Sequence, residues 1–245
     1  MLFSYNQLDS TNRLAKELAA EGKPTGTVVL AVSQSAGRGQ YGRAFTSPVG
    51  GLYFSLILEP TLPPERLSLA TLATGLACRS VLHRVFQLHP DIKWPNDVYL
   101  GGKKVAGILC ETVLTPLPPP SKAKVIIGVG MNVNTRRKDY PEELQPIITT
   151  LFEELQVTVD LDRLLNNLLE AITVHVAQLQ HDAALLLAEW QRYDYLLNKS
   201  VVCTGESHFF CGVGKGIDAQ GFYRVLDHSG VEHRVLGGGQ LRLQG

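Results

Sequence analysis

The sequence carries no excess of positive charge. Its 23 lysines and arginines balance 23 aspartates and glutamates, so the formal net charge is zero. Proteins that bind nucleic acid usually show a basic excess or a basic face. The balance therefore offers no support for a nucleic-acid partner, and we expect none.

Signals for export, membrane insertion and metal binding are also missing. Residues 1–7 hold neither a basic region nor a long apolar core, so we expect no signal peptide. No apolar run reaches the roughly 18 residues that a membrane span needs, so we expect no membrane association. The cysteines form no C-x-x-C pair and no zinc-like cluster with histidine; they are Cys78, Cys110, Cys203 and Cys211. Reduced thiols in a cytoplasmic protein are the expected outcome.

What the sequence does have is a cationic, glycine-rich stretch at residues 35–48, SAGRGQYGRAFTSP. It lies between two apolar runs, 27–32 and 52–58, that are rich in strand-forming residues, so it is predicted to be a loop. Its glycines let the backbone approach a ligand and present bare N–H groups, and its arginines match phosphate or carboxylate oxygens. The residues concerned are Gly37, Gly39, Gly42, Arg38 and Arg43. We predict that the loop closes over an anionic, phosphorylated ligand; a solvated turn with incidental arginines is the alternative.

The glycine spacing of this loop also matches the dinucleotide-binding fingerprint. That fingerprint requires a helix directly after the last glycine. Residues 44–51 instead contain a proline and two more glycines and lead into the next apolar run. The spacing is therefore not interpreted as a dinucleotide site.

Two helices are predicted before the middle of the chain. Residues 13–21 form the first, with Ser10 or Thr11 as its cap, and residues 65–86 form the second. The two hydroxyls and the Asn12 amide at a helix N-terminus can also bind a small polar ligand. Capping and binding are compatible, because a cap needs only one oxygen atom.

Residues 91–100, DIKWPNDVYL, predict a hairpin whose turn brings Lys93, Asn96 and Asp97 together. An ordinary turn without a ligand is the alternative. Lys104 then opens an otherwise apolar strand, so its ammonium group either points into a site or reaches solvent.

The next stretch predicts a loop and a strand. Residues 114–124 contain four prolines and no periodic pattern, which indicates an exposed loop. Residues 125–134 form a strand interrupted by Gly128 and Gly130, a pattern that suggests close approach of a ligand. Asn132 follows these glycines directly.

The C-terminal third changes from helix to strand. Residues 147–198 have helical composition, with one helix capped by Asp160 and another over residues 183–195. Short strands separated by glycine turns then predict a small β-barrel; they cover residues 200–205, 209–213, 221–226 and 233–236.

These motifs resemble the biotin protein ligases, the biotin–[acetyl-CoA-carboxylase] ligase family, whose members attach biotin to carrier domains of carboxylases. The resemblance covers nearly the whole chain in the family's order. Its most specific parts are AGRGQYGR at 36–43 and KWPND at 93–97. The other parts are Ser10-Thr11-Asn12, Gln34, KKVAGIL at 103–109, IGVGMNV at 127–133 and GGQLR at 238–242.

The resemblance implies an α+β fold, with a mixed-sheet catalytic domain over residues 1–196 and an SH3-like C-terminal β-barrel over residues 197–245. It implies activation of biotin by ATP with Mg²⁺ to biotinyl-adenylate. The biotinyl group then passes to a lysine of a biotin carboxyl carrier protein. Some family members carry an N-terminal DNA-binding domain; because the first motif begins at Ser10, we expect none here. A homodimer is an alternative to a monomer.

Site roles follow from the same resemblance. Lys104 is expected to contact the biotin carboxylate and the α-phosphate, Arg38 to hold phosphate, and Asp97 to orient the acceptor amine or to hold Mg²⁺. The implied biotin-binding residues are Ser10, Thr11, Asn12, Gln34, Arg38, Gly39, Gln40, Lys104 and Gly107. The implied ATP-binding residues are Arg38, Gly39, Gln40, Arg43, Phe45, Lys93, Asn96, Asn132 and Arg242. Within that set, the Asn132 amide is expected to read adenine by a two-bond contact.

Two positions depart from the family pattern: Gln40 stands where arginine is often found, and Phe45 stands where tryptophan is often found. The phenyl ring can still stack on adenine, whereas the missing arginine weakens the expected phosphate clamp. Three rival interpretations stay open. The complete KWPND motif argues against a lipoate ligase, the presence of both Lys104 and Asp97 argues against a non-catalytic carrier-binding protein, and the zero net charge argues against a repressor.

Overall fold

The computed structural model of the protein describes residues 1–62, 66–114, 123–205, 209–235 and 240–244. Seven strands of this part form one sheet: β1 (Leu2–Leu8), β2 (Thr27–Gln34), β3 (Leu52–Leu58), β4 (Asp91–Lys93), β5 (Asp97–Leu100), β6 (Lys103–Leu114) and β7 (Ala123–Met131). Their order across the sheet is β1-β2-β3-β7-β6-β5-β4. Strands β1 and β2 are parallel, and every other neighbouring pair is antiparallel.

Helices cover both faces of this sheet. The described chain has α1 (Thr11–Ala20), α2 (Leu69–Phe86), α3 (Leu151–Leu155), α4 (Leu161–His181) and α5 (Ala183–Gln191). Helix α1 packs on one face, where Ala15 and Ile57 belong to a small apolar cluster. Helices α2 and α4 pack on the other face, where Phe54 belongs to the main core. Strand β3 is therefore buried along its whole length, since its alternating side chains meet a helix on either side.

Two predicted helix boundaries are wrong, the start of α2 and the end of α5. Helix α2 begins at Leu69; residues 63–65, where its start is predicted, lie outside the described residues, and residues 66–68 are not α-helical. Helix α5 ends at Gln191 rather than near residue 195. The residues that follow α5 instead bond to both backbone groups of Ile92, at 2.7 and 2.9 Å, which ties them to β4.

The prediction of helix from residue 147 is also wrong, and the difference matters for the site. Residue 147 ends a turn, and residues 148–150 then run extended beside the start of β6. The Lys104 N–H donates to the Ile147 carbonyl at 2.9 Å, and the Thr149 N–H donates to the Lys104 carbonyl at 2.9 Å. Helix α3 begins only after Thr150, whose hydroxyl caps it by accepting from the Glu153 N–H. Pairing with β6 outweighs helix propensity here.

The predicted exposed loop at 114–124 mostly lies outside the described residues. At its end the prediction is wrong, because Lys124 belongs to β7 and is only 4% exposed. Its ammonium group donates to the carbonyls of Ala19 at 3.3 Å and Lys23 at 2.7 Å. These carbonyls lie at and just beyond the C-terminus of α1, where the helix dipole favours a positive charge.

The C-terminal strands form a second, antiparallel sheet. Its described strands are β8 (Ser200–Thr204), β9 (Phe209–Ile217), β10 (Tyr223–Asp227), β11 (Glu232–Val235) and β12 (Gln240–Leu243), in the order β11-β10-β9-β8-β12. Four of them correspond to predicted strands, whereas the pattern did not indicate β12, which pairs with β8. The α+β class is confirmed. The boundary between residues 196 and 197 stays a prediction.

The second sheet is fixed to the β4–β5 hairpin by hydrogen bonds and an aromatic contact. The indole N–H of Trp94 donates to the Gly221 carbonyl at 3.0 Å, and the Trp94 ring lies 5.8 Å from the Tyr223 ring. The Tyr223 hydroxyl donates to Asp194 Oδ2 at 2.8 Å, just before the first strand of this sheet. Contacts with residues of the C-terminal sheet therefore fix the position of the turn between β4 and β5.

Asp194 should make the stability of this junction depend on pH. Burial raises its pKa from 3.8 to about 6, so the folded protein favours the protonated carboxyl group. That contribution is complete below about pH 4 and is lost as the pH rises through 6, a change of up to about 3 kcal/mol. We expect the stability of the parent relative to the Asp194→Asn variant to fall between pH 4.5 and 7.5, measured by urea unfolding. A pH-independent difference between the two proteins would contradict this assignment.

Candidate functional site

A cavity of about 550 Å³ opens on the α1 face of the large sheet. Its walls come from the N-terminus of α1, the 35–48 loop, the β4–β5 hairpin, strands β6 and β7, the strip at 144–148, and β12 of the second sheet. Two loop glycines predicted to approach a ligand, Gly37 and Gly42, are not among the lining residues. Every residue to which the resemblance gives a site role lines the cavity: Ser10, Thr11, Asn12, Gln34, Arg38, Gly39, Gln40, Arg43, Phe45, Lys93, Asn96, Asp97, Lys104, Gly107, Asn132 and Arg242. The fold thus brings together residues from opposite ends of the chain.

The predicted loop at 35–48 folds back on itself. The Gly39 N–H donates to the Arg43 carbonyl at 2.7 Å, and the Phe45 N–H donates to the Gly37 carbonyl at 2.9 Å. A Cβ atom on Gly37 would lie 2.3 Å from the Phe45 carbonyl oxygen. The prediction that Gly39 presents a bare N–H to a ligand is therefore wrong, because the loop uses this group for its own turn. The exposed Arg38 side chain still lines the cavity.

The Phe45 ring lies directly over two glycines of the sheet. A Cβ atom on Gly130 would approach Phe45 Cε1 to 2.5 Å, and one on Gly107 would approach Phe45 Cε2 to 3.1 Å. The ring also makes an edge-to-face contact with Tyr53, with centroids 6.4 Å apart. Glycines in β6 and β7 therefore make room for a wall of the cavity, which explains the weak strand pattern seen in the sequence.

This packing gives a direct prediction for Gly130→Ala. The added methyl group must displace the Phe45 ring and with it the loop, so we expect ligand affinity to fall by roughly tenfold or more, about 1.4 kcal/mol. Calorimetric titration with biotin, the ligand that the family resemblance implies, measures the loss. In a Phe45→Ala background the same substitution should cost much less, because the clashing ring is absent. Equal costs in both backgrounds would contradict the contact.

Positive charge dominates the middle of the cavity. Of the described residues that line it, five are cations and Asp97 is the single carboxylate. Asp97 Oδ1 lies 2.6 Å from Lys104 Nζ, and both side chains are half-buried. The pKa of Lys93 is lowered first by burial and then by nearby cations, although Asp97 opposes the shift. Those cations are Lys104, Arg242 and Arg43. An anionic ligand would relieve this repulsion.

The opposite end of the cavity is neutral and polar. The Ser10 hydroxyl caps α1, as predicted, by accepting from the Arg13 N–H. Gln34 Oε1 accepts from the backbone N–H of Thr11 at 2.8 Å. Asn12 lies over Gly128, where a Cβ atom would meet Asn12 Oδ1 at 2.0 Å. Ser10, Thr11 and Asn12 are nearly buried, so an uncharged polar ligand would be enclosed here.

Asn132 is less available than predicted. It is 3% exposed; its Nδ2 donates to the Thr149 carbonyl at 3.1 Å, and its Oδ1 accepts from the Tyr140 hydroxyl at 3.0 Å. The bond to Thr149 anchors the extended residues 148–150 to the end of β7, and the bond to Tyr140 ties that residue to the same amide. The structure thus shows a supporting contact for this amide, and its predicted contact with adenine stays a prediction.

Sequence reasoning missed part of the site. Tyr99 lines the cavity, and its hydroxyl accepts from Lys93 Nζ at 3.3 Å. The alternation of Asp97 and Tyr99 along a short strand was a usable signal, since residues two apart share a face. Tyr140 and the apolar residues of the 144–148 strip carried no comparable signal, because their position depends on pairing with β6.

Comparisons with known proteins show which family the chain resembles. Residues 4–132 match the biotin/lipoate A/B protein ligase family. The chain is 31% identical over 233 residues to the bifunctional ligase/repressor BirA of Bacillus subtilis, covering 94% of this chain and 71% of that protein. It is 33% identical over 228 residues to the biotin–[acetyl-CoA-carboxylase] ligase of Paracoccus denitrificans, covering 87% and 89%. The solved structure of an Aquifex aeolicus biotin protein ligase in complex with biotin and ATP superposes with a TM-score of 0.85, at 31% identity, over 99% of both chains.

Proposed function

Because this chain belongs to the biotin/lipoate A/B protein ligase family, we propose that it activates biotin with ATP and transfers the biotinyl group to a lysine of a carrier protein. The observation that carries this proposal is the two-ended cavity. The end at the N-terminus of α1 is neutral and rich in hydroxyl and amide groups, and the rest of the cavity is lined by five cations. Such a cavity suits a ligand with an uncharged polar head and a carboxylate that must meet a nucleotide phosphate.

The first step joins two anions. A biotin carboxylate oxygen attacks the α-phosphorus of ATP, the bond to the β-phosphate bridging oxygen breaks, and pyrophosphate leaves. We assign to Lys104 the stabilisation of the charge that develops at the α-phosphate; its ion pair with Asp97, which holds the ammonium group in the cavity, supports this role. Arg38 and Arg43 from the loop and Arg242 from β12 supply further positive charge for the phosphates.

The second step needs a neutral amine. The acceptor lysine attacks the carbonyl carbon of biotinyl-adenylate, forms an amide and displaces AMP. An alkyl ammonium loses its proton only near pH 10, so a carboxylate that accepts this proton speeds the step at neutral pH. Asp97 is the cavity's carboxylate among the described residues, and we assign it this role.

The neutral end would hold the ureido ring. Its N–H and carbonyl groups need acceptors and donors, which the hydroxyls of Ser10 and Thr11 and the amide of Gln34 supply. All three line the cavity at the N-terminus of α1. The Phe45 wall and the loop around it would shield the mixed anhydride from water.

The residues present do not form a Mg²⁺ site of the protein alone. A bound Mg²⁺ takes one or two carboxylates together with substrate phosphates. Asp97 is the only carboxylate lining the described cavity, and it is already paired with Lys104 at 2.6 Å. The prediction that Asp97 is a metal ligand gains no support from this arrangement, and no step is assigned to the metal.

The acceptor is proposed to be the carrier domain of a biotin-dependent carboxylase, as the name of the Paracoccus relative suggests. A homodimer, a cytoplasmic location and the absence of a nucleic-acid partner stay predictions. None of the helices in the described part of the chain is long and apolar enough to cross a membrane.

One experiment tests the proposed function. The protein is incubated with ATP, Mg²⁺, biotin and a carrier domain, and the carrier is analysed by intact-mass spectrometry. We expect one biotinyl group on one lysine, and no addition when that lysine is replaced by arginine. Lipoate in place of biotin serves as the competing substrate. Modification of the carrier by lipoate but not by biotin would overturn the assignment.

A further inference from the structure

Behind the neutral end of the cavity runs a chain of hydrogen-bonded side chains: Glu111, Asn12, Ser55 and Thr11. Asn12 and Thr11 line the cavity, whereas Ser55 and Glu111 do not. Ser55, on β3, is fully buried. Glu111, on β6, also receives an ion pair from Lys16 at 2.8 Å. Neither Ser55 nor Glu111 has a role in the two reaction steps described above.

The first link fixes the orientation of the Asn12 amide. Its Nδ2 group donates to the Leu109 carbonyl at 3.0 Å and to Glu111 Oε2 at 3.0 Å. A carbonyl and a carboxylate can only accept, so both N–H bonds of the amide are committed to them. The amide oxygen must therefore face Ser55.

The second link fixes the hydroxyl protons. Ser55 Oγ lies 2.6 Å from Asn12 Oδ1 and 2.9 Å from Thr11 Oγ1. Because the amide oxygen can only accept, Ser55 gives its single proton to Asn12 and keeps only lone pairs for Thr11. Gln34 Oε1, 3.2 Å from the Thr11 hydroxyl, also accepts, since it already bonds the Thr11 backbone N–H. The Thr11 hydroxyl therefore donates its proton to an acceptor inside the protein. The lone pairs of Thr11 Oγ1 that remain face the cavity.

We propose that Glu111 and Ser55 are positioning residues that make Thr11 a hydrogen-bond acceptor and so select a ligand with an N–H group at that point. The inference rests on the proposed function, because the ureido ring of biotin carries two such N–H groups. With a ring oxygen in place of that N–H, the lone pairs of the ring oxygen would face those of Thr11 Oγ1 and repel them. The selection is made by two side chains that the ligand does not touch.

The test compares biotin with its two cyclic-carbamate analogues, in which one or the other ring N–H is replaced by oxygen. Dissociation constants are measured by calorimetry with the full-length protein. For the parent, we expect one of the two analogues to bind on the order of 100-fold more weakly than biotin, because a site built for an N–H leaves its acceptor unpaired. In Ser55→Ala the Thr11 proton loses its nearer internal acceptor and can turn toward the ligand. The ratio of that analogue's dissociation constant to that of biotin should fall to about tenfold or less.

Glu111→Leu provides a second route to the same result. Without the carboxylate only the Leu109 carbonyl still orients the Asn12 amide. A rotated amide, which lets Ser55 donate to Thr11, then costs less, so the ratio for that analogue should again fall, although less than in Ser55→Ala. Since Glu111 is partly exposed, this variant keeps the test decisive if Ser55→Ala does not fold. The matched control is Thr74→Val, which removes an equally buried hydroxyl that bonds the Ala70 carbonyl within α2. Its ratio should equal that of the parent.

The outcomes distinguish a failure of the positioning role of Ser55 and Glu111 from a failure of the proposed function. If the variants weaken biotin and the analogue equally, so that the ratio stays at the parent value, Ser55 and Glu111 are merely structural and the inference is overturned. A parent that discriminates against neither analogue overturns it as well. A parent that binds no biotin overturns the proposed function, and this inference with it.

Discussion

Replacing Lys104 with alanine is expected to slow the formation of biotinyl-adenylate by on the order of 100-fold, about 3 kcal/mol in activation free energy. The loss should fall on the chemical step more than on biotin binding. An ammonium group that meets charge developing at phosphorus contributes mainly in the transition state, where the charge is greatest. The structure supports that role, because Lys104 Nζ is held inside the cavity by Asp97 at 2.6 Å.

The measurement is single-turnover formation of the adenylate from ATP and biotin, with binding of biotin alone titrated separately. Lys103→Ala is the matched control, since Lys103 is the neighbouring residue on β6 but does not line the cavity. The control should behave like the parent in both assays. A Lys104→Ala rate within a few-fold of the parent would remove Lys104 from the catalytic residues. Equal losses in binding and rate would make it a binding residue only.

Replacing Asp97 with asparagine is expected to slow the transfer step by roughly 100-fold and to reduce adenylate formation much less. A general base contributes about 10²- to 10⁴-fold, and an amide cannot accept the proton of the incoming lysine. In the first step the substrate anions can take over the pairing with Lys104, so the loss of the carboxylate is largely compensated. The substitution should leave the fold intact, because Asp97 lies at the start of a short strand in a paired hairpin.

Two half-reactions separate these effects. Purified biotinyl-adenylate and a carrier domain report transfer alone, and ATP with biotin but no carrier reports adenylation alone. Transfer by the variant should recover as the pH is raised toward the pKa of the acceptor lysine, since the amine then loses its proton unaided. Asp91→Asn is the control: it changes a carboxylate of the same hairpin that lies outside the cavity.

Other outcomes would redirect the assignment. Unimpaired transfer from supplied adenylate would exclude Asp97 as the base. A failed first step that excess Mg²⁺ restores would support the rival role as a metal ligand, because an amide is a poorer ligand for a hard cation. Near-normal activity in both half-reactions would mean that Asp97 has only a structural role, in the turn and in the ion pair with Lys104.

Much of the site could be predicted from the order of short motifs. The 35–48 loop, the β4–β5 hairpin and the polar N-terminus of α1 each have local chemistry that indicates their structure: glycines, a proline turn, a capping serine. Lys104 stood out because a charged residue opens an apolar strand. These signals are local, so no tertiary structure was needed to find them.

Features set by long-range contacts could not be predicted. The helical composition of residues 147–150 was overridden by pairing with Lys104, and the apparent loop residue Lys124 was buried by the carbonyls at the end of α1. Strand β12 has little pattern of its own and exists because β8 offers it an edge. In each case the partner lies tens of residues away along the chain, where periodicity carries no information.

The sequence by itself indicated the cationic loop and the polar N-terminus of α1, since each depends on local pattern and residue chemistry, and the order of its motifs implied the α+β class and many of the residues that line the cavity. Only the tertiary structure decided how these residues are used. It turned the Gly39 N–H back into its own loop, paired Asp97 with Lys104, and placed Ser55 behind Thr11 so that the direction of each hydrogen bond is fixed. The reason is physical: a hydrogen bond or ion pair depends on the distance and orientation of two groups, and folding alone sets these for residues far apart in the chain.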